Sequence, residues 1–219
     1  MEVLVSTIVA FAAGFFLAKR RKETEENQGE AAVRKMLVRW CRGSTSHILN
    51  NVTLRYADGT TQIDHILITE KGILIIETKH YKGWIFANSN SRQWMQVIYK
   101  MKNKFQNPLH QNSMHVRAVQ QLLDFLPKEN IRGVVVFTGE ASFKTGIPSG
   151  VVHFHQLQNY VENFRFAELS ENRVQFCVGR IECQRQEITA TTDIEHQKYL
   201  ERKFGVVNYT QSIQVFGFQ

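Results

Sequence analysis

The sequence predicts an α/β domain built on a mixed central sheet flanked by helices, with one membrane-crossing helix at its N-terminus. Three observations lead there. Residues 3–18 carry no charge and are followed at once by Lys19, Arg20, Arg21 and Lys22. Downstream, a helical pattern gives way to several β-type segments, then a sharp helix start at Asn107-Pro108, then another apolar strand; helix and strand alternating in this way define the α/β class. Finally, 43% hydrophobic and 21% charged residues suit a folded body and exclude a disordered chain.

As a helix, residues 3–18 span about 24 Å at ~1.5 Å per residue, slightly short of a bilayer core of ~30 Å. Snorkelling by Lys19 and Arg20 extends the reach. A cleaved signal peptide needs positive charge ahead of its apolar run, whereas only Met1 and Glu2 stand there. Cations stay on the cytoplasmic side, so the order predicts a single-pass protein with its domain in the cytoplasm. The chain divides into an anchor with basic flank (1–22), a linker (23–28), the main domain (29–140) and a C-terminal extension (141–219) in which no motif is legible.

The net charge of +7 falls to +4 over residues 23–219 once the basic flank and Glu2 are set aside. This permits nucleic-acid binding without establishing it. The three cysteines, Cys41, Cys177 and Cys183, form no C-x-x-C pair. A disulfide framework or zinc knuckle is not expected, and reduced thiols are.

Gly29 to Cys41 reads as a helix, with Ala32, Val33, Met36, Leu37 and Trp40 on one side. Val52–Tyr56 alternates as a strand, and Asp58-Gly59 marks a turn. Ile63–Ile68 is a second strand, Thr69–Gly72 a tight turn, and Ile73–Thr78 a third strand, apolar enough to be buried on both faces. Trp84–Ala87 and Trp94–Tyr99 are short strands. Asn107 is a good N-cap with Pro108 at the first helical position. Val134–Phe137 is a buried strand. Val151–Phe154, an amphipathic piece around 157–164, Arg173–Val178 and a terminal helix over about Asp193–Phe204 complete the chain.

The chemistry concentrates in Gln62-Ile63-Asp64-His65 and Glu77-Thr78-Lys79. A turn centred between Glu70 and Lys71 makes paired positions sum to about 141, putting Asp64 across from Glu77 and Gln62 across from Lys79, with Cβ atoms about 5 Å apart. One face then carries two carboxylates, an amide and an ammonium. Two close carboxylates suit Mg²⁺ or Mn²⁺, which takes one or two of them and fills its shell with water and phosphate oxygen. Lys79 is placed to orient water or to offset charge on a phosphate. Taken alone, a Glu-x-Lys on a strand is usually a solvated face. Here it follows Ile73–Ile76, and charges in such a setting need partners or a metal.

Further candidates are weaker. Lys100, Lys102 and Lys104 alternate and can meet phosphates along one face, or simply keep a strand edge soluble. Gln111, on the first turn of its helix, faces either a nucleic acid or a structural partner. His65 points to the opposite face from Asp64 if the strand is regular. His153 and His155 share a face, but no third ligand lies nearby.

These residues resemble the nuclease-related domain (NERD) family, assigned to the restriction-endonuclease-like PD-(D/E)xK superfamily. The marks run over about residues 28–140: Gly29-Glu30, Asp58-Gly59-Thr60-Thr61-Gln62-Ile63-Asp64-His65, Gly72-Ile73, Ile76-Glu77-Thr78-Lys79, Tyr81-Lys82-Gly83, Gln93-Trp94, Asn107-Pro108 and Gln111-Asn112. His80 departs from the pattern, where Asn is more usual. The resemblance implies a restriction-endonuclease-like fold, Asp64 and Glu77 as metal carboxylates, Lys79 as catalytic lysine, Glu30 as an accessory acid, and supporting bonds from Gln62 and Gln96. Two functions follow. One is a membrane-tethered, Mg²⁺-dependent nuclease acting on DNA or RNA; the other is a non-catalytic nucleic-acid-binding or scaffolding module. The intact Asp64, Glu77 and Lys79 set favours the first.

Overall fold

The computed structural model describes residues 28–186. The expected anchor at 3–18, its flank and linker through residue 27, and the helix expected near 193–204 lie outside the described residues. Among those described, no helix is long and apolar enough to cross a membrane.

Helix α1 (Gln28–Cys41) leads into a five-stranded sheet formed by β1 (His47–Tyr56), β2 (Gly59–Thr69), β3 (Gly72–His80), β7 (Ile131–Thr138) and β9 (Val151–His153), in the order β1-β2-β3-β7-β9. The β1–β2 and β2–β3 pairs are antiparallel, while β3–β7 and β7–β9 are parallel. The sheet is therefore mixed. Helix α2 (Pro108–Leu122) supplies the crossover from the antiparallel to the parallel half, and α3 (Phe154–Asn163) and α4 (Glu171–Gln184) follow β9. A second sheet, β6-β5-β4-β8, comprises β4 (Gly83–Phe86), β5 (Gln93–Ile98), β6 (Met101–Gln106) and β8 (Ala141–Phe143).

β3 is central because both its faces are buried. Ile73 and Ile75 join Ile66 and Ile68 against Val119 of α2, its C-cap Leu123, and Val174, Cys177 and Ile181 of α4. Leu74 and Ile76 join Leu67, Val134 and Val136 against Val33 and Leu37 of α1 and Leu157 and Val161 of α3. Each fully buried aliphatic side chain contributes about 1.5–3 kcal/mol. The second sheet packs its inner face, through Ile85, Trp94, Phe105 and Phe143, onto Val135 and Phe137 of β7.

Two later segments take their form from the fold. Arg173–Val178 lies inside α4, which Ser170 caps by accepting from Arg173 N–H; apolar side chains at 174, 177, 178 and 181 follow helical spacing. Phe154 begins α3 rather than ending β9. Residues beyond 140 enter both sheets, through β8 and β9, and α4 closes one core.

The β1–β2 ladder contains one irregularity that shapes everything downstream. Paired residues follow a single register on both sides of Asn51 and Asp64, which face each other without pairing, and Asn51 is left-handed at φ +50°. Before the break Leu49 and Ile66 enter the α2/α4 core; after it Val52, Leu54 and Ile63 do. Regular strands alternate faces, so both strands have exchanged faces here without slipping. Arg185, just past α4, braces the spot by donating from Nη2 to the carbonyls of Asn50 (3.2 Å) and Asn51 (3.1 Å).

Candidate active site

The site forms where β2 and β3 part. Their ladder runs from Thr69↔Gly72 to His65↔Ile76 and stops. That is the register the Glu70-Lys71 turn predicts, yet the next pair, Asp64 with Glu77, does not form. β3 continues with β7 alone as far as His80↔Thr138. A strand edge left bare needs a partner for its N–H groups, and Asp64 Oδ2 accepts from Thr78 N–H at 2.7 Å. The first carboxylate is thus pinned to the backbone between Glu77 and Lys79.

Glu77 and Lys79 sit two residues apart on β3 and face α2. Lys79 Nζ donates to Glu77 Oε1 at 2.6 Å and to Gln111 Oε1 at 3.0 Å. The other Glu77 oxygen lies 3.1 Å from His115 Nε2, and His115 Nδ1 lies 2.7 Å from Thr61 Oγ1. Gln111 and His115 are four apart on α2, hence on one face. Asn112 fixes the helix at the right height by donating from Nδ2 to the carbonyls of Ile75 (3.2 Å) and Val134 (3.0 Å). Gly133 makes that possible, because a Cβ there would stand 2.7 Å from Asn112 Nδ2. Asn107 starts the helix by accepting from Leu109 N–H and ties the preceding loop through Ser89 and Ser91 carbonyls.

Helix α1 closes the acidic side. A Cβ at Gly29 would collide with Thr138 Oγ1 and His80 Cβ, so glycine lets the helix start press against the ends of β3 and β7. His80, the departure from the family pattern, bonds Thr138 at 3.0 Å in this packing. Glu30, the next residue, acts electrostatically on Asp64.

The charges act on one another at close range. Burial, then the negative fields of Glu77 and Glu30, push Asp64 well above the usual carboxylate range, against Lys79 and the Thr78 N–H. Burial would also raise Glu77, but Lys79 and His115 overrule it and hold the acid at about 2. Lys79 shows the mirror image: burial alone would lower it, and the carboxylates of Glu77 and Asp64 hold it above its ordinary value. At neutral pH the site therefore holds an ionised Glu77 salt-bridged to a charged Lys79, with a carboxyl beside them that ionises reluctantly.

Among the described residues no group of three or more His, Cys, Asp and Glu is arranged to hold a metal ion. Magnesium needs only one or two protein carboxylates, and a divalent cation is the counter-charge that would relieve the repulsion raising Asp64. The donor set of Asp64 and Glu77 fits such an ion.

Apart from Gln111, the remaining predicted residues lie elsewhere. Gln62 does not meet Lys79: the ladder ends before that pair, Gln62 is exposed, and its cross-strand partner is Thr53. The exchange of faces at Asp64 is the reason, since it turns Gln62 outward and points Thr61 at His115. Gln96 is buried and donates to the Lys82 carbonyl at 2.8 Å, a structural bond of the second sheet. Lys102 and Lys104 project to solvent from β6, and Lys100 stands in the β5–β6 turn, not on a common strand face with them. Gln111 is engaged with Lys79. His65 is buried and bonds Asn50 Oδ1 at 2.7 Å. His153 ends β9 while His155 lies in α3, their rings stacked at 5.5 Å. His115 and Thr61 were missed. The spacing Gln111-x-x-x-His115 was a readable signal for the first; the second lies inside the Asp58–His65 stretch, with no signal of a contact to another element.

A family model described as nuclease-related domain matches residues 25–138, which includes every residue of this cluster. An uncharacterized protein of Bacillus anthracis is 31% identical over 220 residues, covering 93% of this chain and 99% of that protein. No solved structure matches.

Proposed function

Because this chain belongs to the nuclease-related domain family, we propose that it is a divalent-metal-dependent nuclease, hydrolysing phosphodiester bonds in DNA or RNA while residues 3–18 tether it to a membrane. The observation that carries this reading is the convergence of Asp64, Glu77 and Lys79 at the fork between β2 and β3, with Gln111 holding the lysine. A strand fork carrying two carboxylates and a lysine is in keeping with the restriction-endonuclease-like arrangement that the family resemblance implies.

Asp64 and Glu77 would hold the Mg²⁺ or Mn²⁺. When bound, the ion supplies Lewis acidity at the phosphate and lowers the pKa of a water. The protein's own part is orientation and charge. His115 fixes one Glu77 oxygen and is itself fixed by Thr61. Lys79 stays protonated and is a ready donor to the negative charge that builds on phosphate oxygens in the transition state. Gln111 limits the swing of the Lys79 side chain, so that little reorganisation is needed when substrate arrives. Glu30 adds negative field at the edge of the site and strengthens its preference for a cation.

The test is cleavage of labelled single- and double-stranded DNA and RNA by the full chain, with and without Mg²⁺ or Mn²⁺. Metal-dependent products that disappear in Glu77→Ala support the proposal. If the wild type binds no divalent metal at millimolar concentration, or Glu77→Ala cuts as fast as wild type, the chain is instead a binding or scaffolding module.

A further inference from the structure

Between residues 78 and 123 the chain holds seven Lys and Arg and no Asp or Glu. This acid-free stretch contains the end of β3, strands β4–β6 and α2. Much of it forms the outer face of the second sheet. Across the strands, Ser142, Trp84, Val97 and Lys102 form one row, and Phe86, Met95 and Lys104 the next. Phe86, Met95 and Val97 are half-buried, whereas Trp84 is 52% exposed and Lys102 and Lys104 are exposed. Just past β8, Lys144 is held by its N–H to the Ile85 carbonyl and lays its ammonium over the Trp84 ring, 4.8 Å from the centroid. The face is thus an apolar floor two strands wide with lysines on both rims. Strands are spaced about 4.8 Å apart, so the rims at β8 and β6 stand roughly 14 Å from each other.

We infer that this face is a platform for single-stranded nucleic acid, with a base stacked at Trp84 and phosphates met by Lys144 on one rim and by Lys102 and Lys104 on the other. The inference rests on the nucleic-acid reading above and names the strand form. A duplex keeps its bases stacked on each other and offers no free ring face. An unpaired strand presents both faces to an aromatic, and stacking needs no particular sequence. Lysines repeated along a groove supply the sequence-independent, salt-sensitive component. The floor lies near the cluster at Lys79: Trp84 is five steps along the chain from Lys79, a path of at most about 18 Å. A lipid surface is the competing partner for a basic, apolar face, and Tyr99 and Met101 at the β5–β6 tip are 96% and 51% exposed. On the sheet itself, however, Phe86, Met95 and Val97 are half-buried between the lysines and Trp84 lies against the Lys144 ammonium, the reverse of a face that inserts apolar groups foremost.

The measurement is fluorescence anisotropy of a labelled 20-nucleotide oligothymidine, and of a matched duplex, with the full chain and EDTA present so that no cleavage occurs. Trp84→Ala should weaken single-strand binding about fivefold or more, from the ~1–3 kcal/mol a stacked base contributes. It should leave duplex binding nearly unchanged, and Trp84→Phe should restore most of the loss. Lys102→Glu with Lys104→Glu should lower the salt slope for the single strand by about 1.4, at ~0.7 for each phosphate no longer neutralised. Absent cleavage by the wild type in Mg²⁺ or Mn²⁺, together with Trp84-dependent binding, defeats the nuclease reading alone. Cleavage together with unchanged binding by Trp84→Ala defeats the platform alone. Equal losses for single strand and duplex, or no oligonucleotide binding at all, also overturn it. So does binding to vesicles containing phosphatidylserine that requires Lys102 and Lys104 while oligonucleotide binding does not.

Discussion

Replacing Glu77 by Gln removes one negative charge and keeps the shape of the side chain. Glu77 is 2% exposed and contacts Lys79 at 2.6 Å and His115 at 3.1 Å. Its folded pKa of about 2 lies below its ordinary 4.5. At ~1.36 kcal/mol per unit, the ionised form contributes about 3 kcal/mol of stability. Because the folded pKa is depressed, that contribution is complete above pH 4.5 and is lost as pH falls towards 2. Asp64 works in the opposite sense: its folded pKa is raised above 3.8, so its contribution is complete below 3.8 and is lost as pH rises through the folded value. Wild-type stability should therefore rise on mild acidification as Asp64 protonates, pass a maximum, and fall as pH drops below 4.5, where the unfolded chain takes up a proton that the folded Glu77 refuses until about pH 2. Glu77→Gln removes the acid limb and also the strongest charge raising Asp64, so both limbs should flatten. At pH 7 and without metal the variant should lose about 2–3 kcal/mol, the cost of breaking a buried pair less the relief at Asp64. In urea, with ~1–3 kcal/mol per molar, the midpoint should drop by about 1–2 M. Unfolding of the full chain followed by tryptophan fluorescence between pH 2.5 and 7 measures this. A variant curve parallel to the wild type's would show that Glu77 is not the group held ionised, and would refute the charge assignment.

Other outcomes follow for the neighbouring residues and for the tether. Lys79→Ala should keep metal affinity and lose most of the cleavage rate, while Gln111→Ala should slow cleavage by up to about a hundredfold through a loosened lysine; calorimetry beside single-turnover kinetics separates the two, and a lost metal affinity in either would contradict the roles given. His115→Ala leaves Glu77 Oε2 and Thr61 Oγ1 without their partner and should cost about 1–3 kcal/mol per group, whereas exposed Gln62→Ala should change stability by less than about 0.5 kcal/mol and leave the rate alone; a large Gln62 effect would mean that the face exchange at Asp64 is absent. For the tether, protease protection and fractionation should find the chain in the membrane with its domain on the cytoplasmic side, and full recovery in the soluble fraction would refute it.

The amino-acid sequence by itself determined the features that depend on neighbours in the chain. The Thr69–Gly72 turn set the β2–β3 register, because a tight turn leaves few ways for the flanking residues to pair. The apolar runs in β3 and β7 announced strands covered on both faces, and Asn107-Pro108 announced α2. The proximity of Asp64, Glu77 and Lys79 was legible for the same reason: one hairpin carries all three. Only the tertiary structure decided which groups complete the site. Alternation put Gln62 on the face of Glu77 and Lys79, yet the unpaired Asn51 and Asp64 exchange the faces of two strands, and Thr61 lies there instead, against His115. The exchange is braced by Arg185, more than 130 residues from Asn50 and Asn51, and Glu77 receives His115 from a helix 38 residues away. Such contacts exist because buried polar groups must find partners wherever packing brings them, and the spacing of residues along a strand carries no trace of a partner on another element.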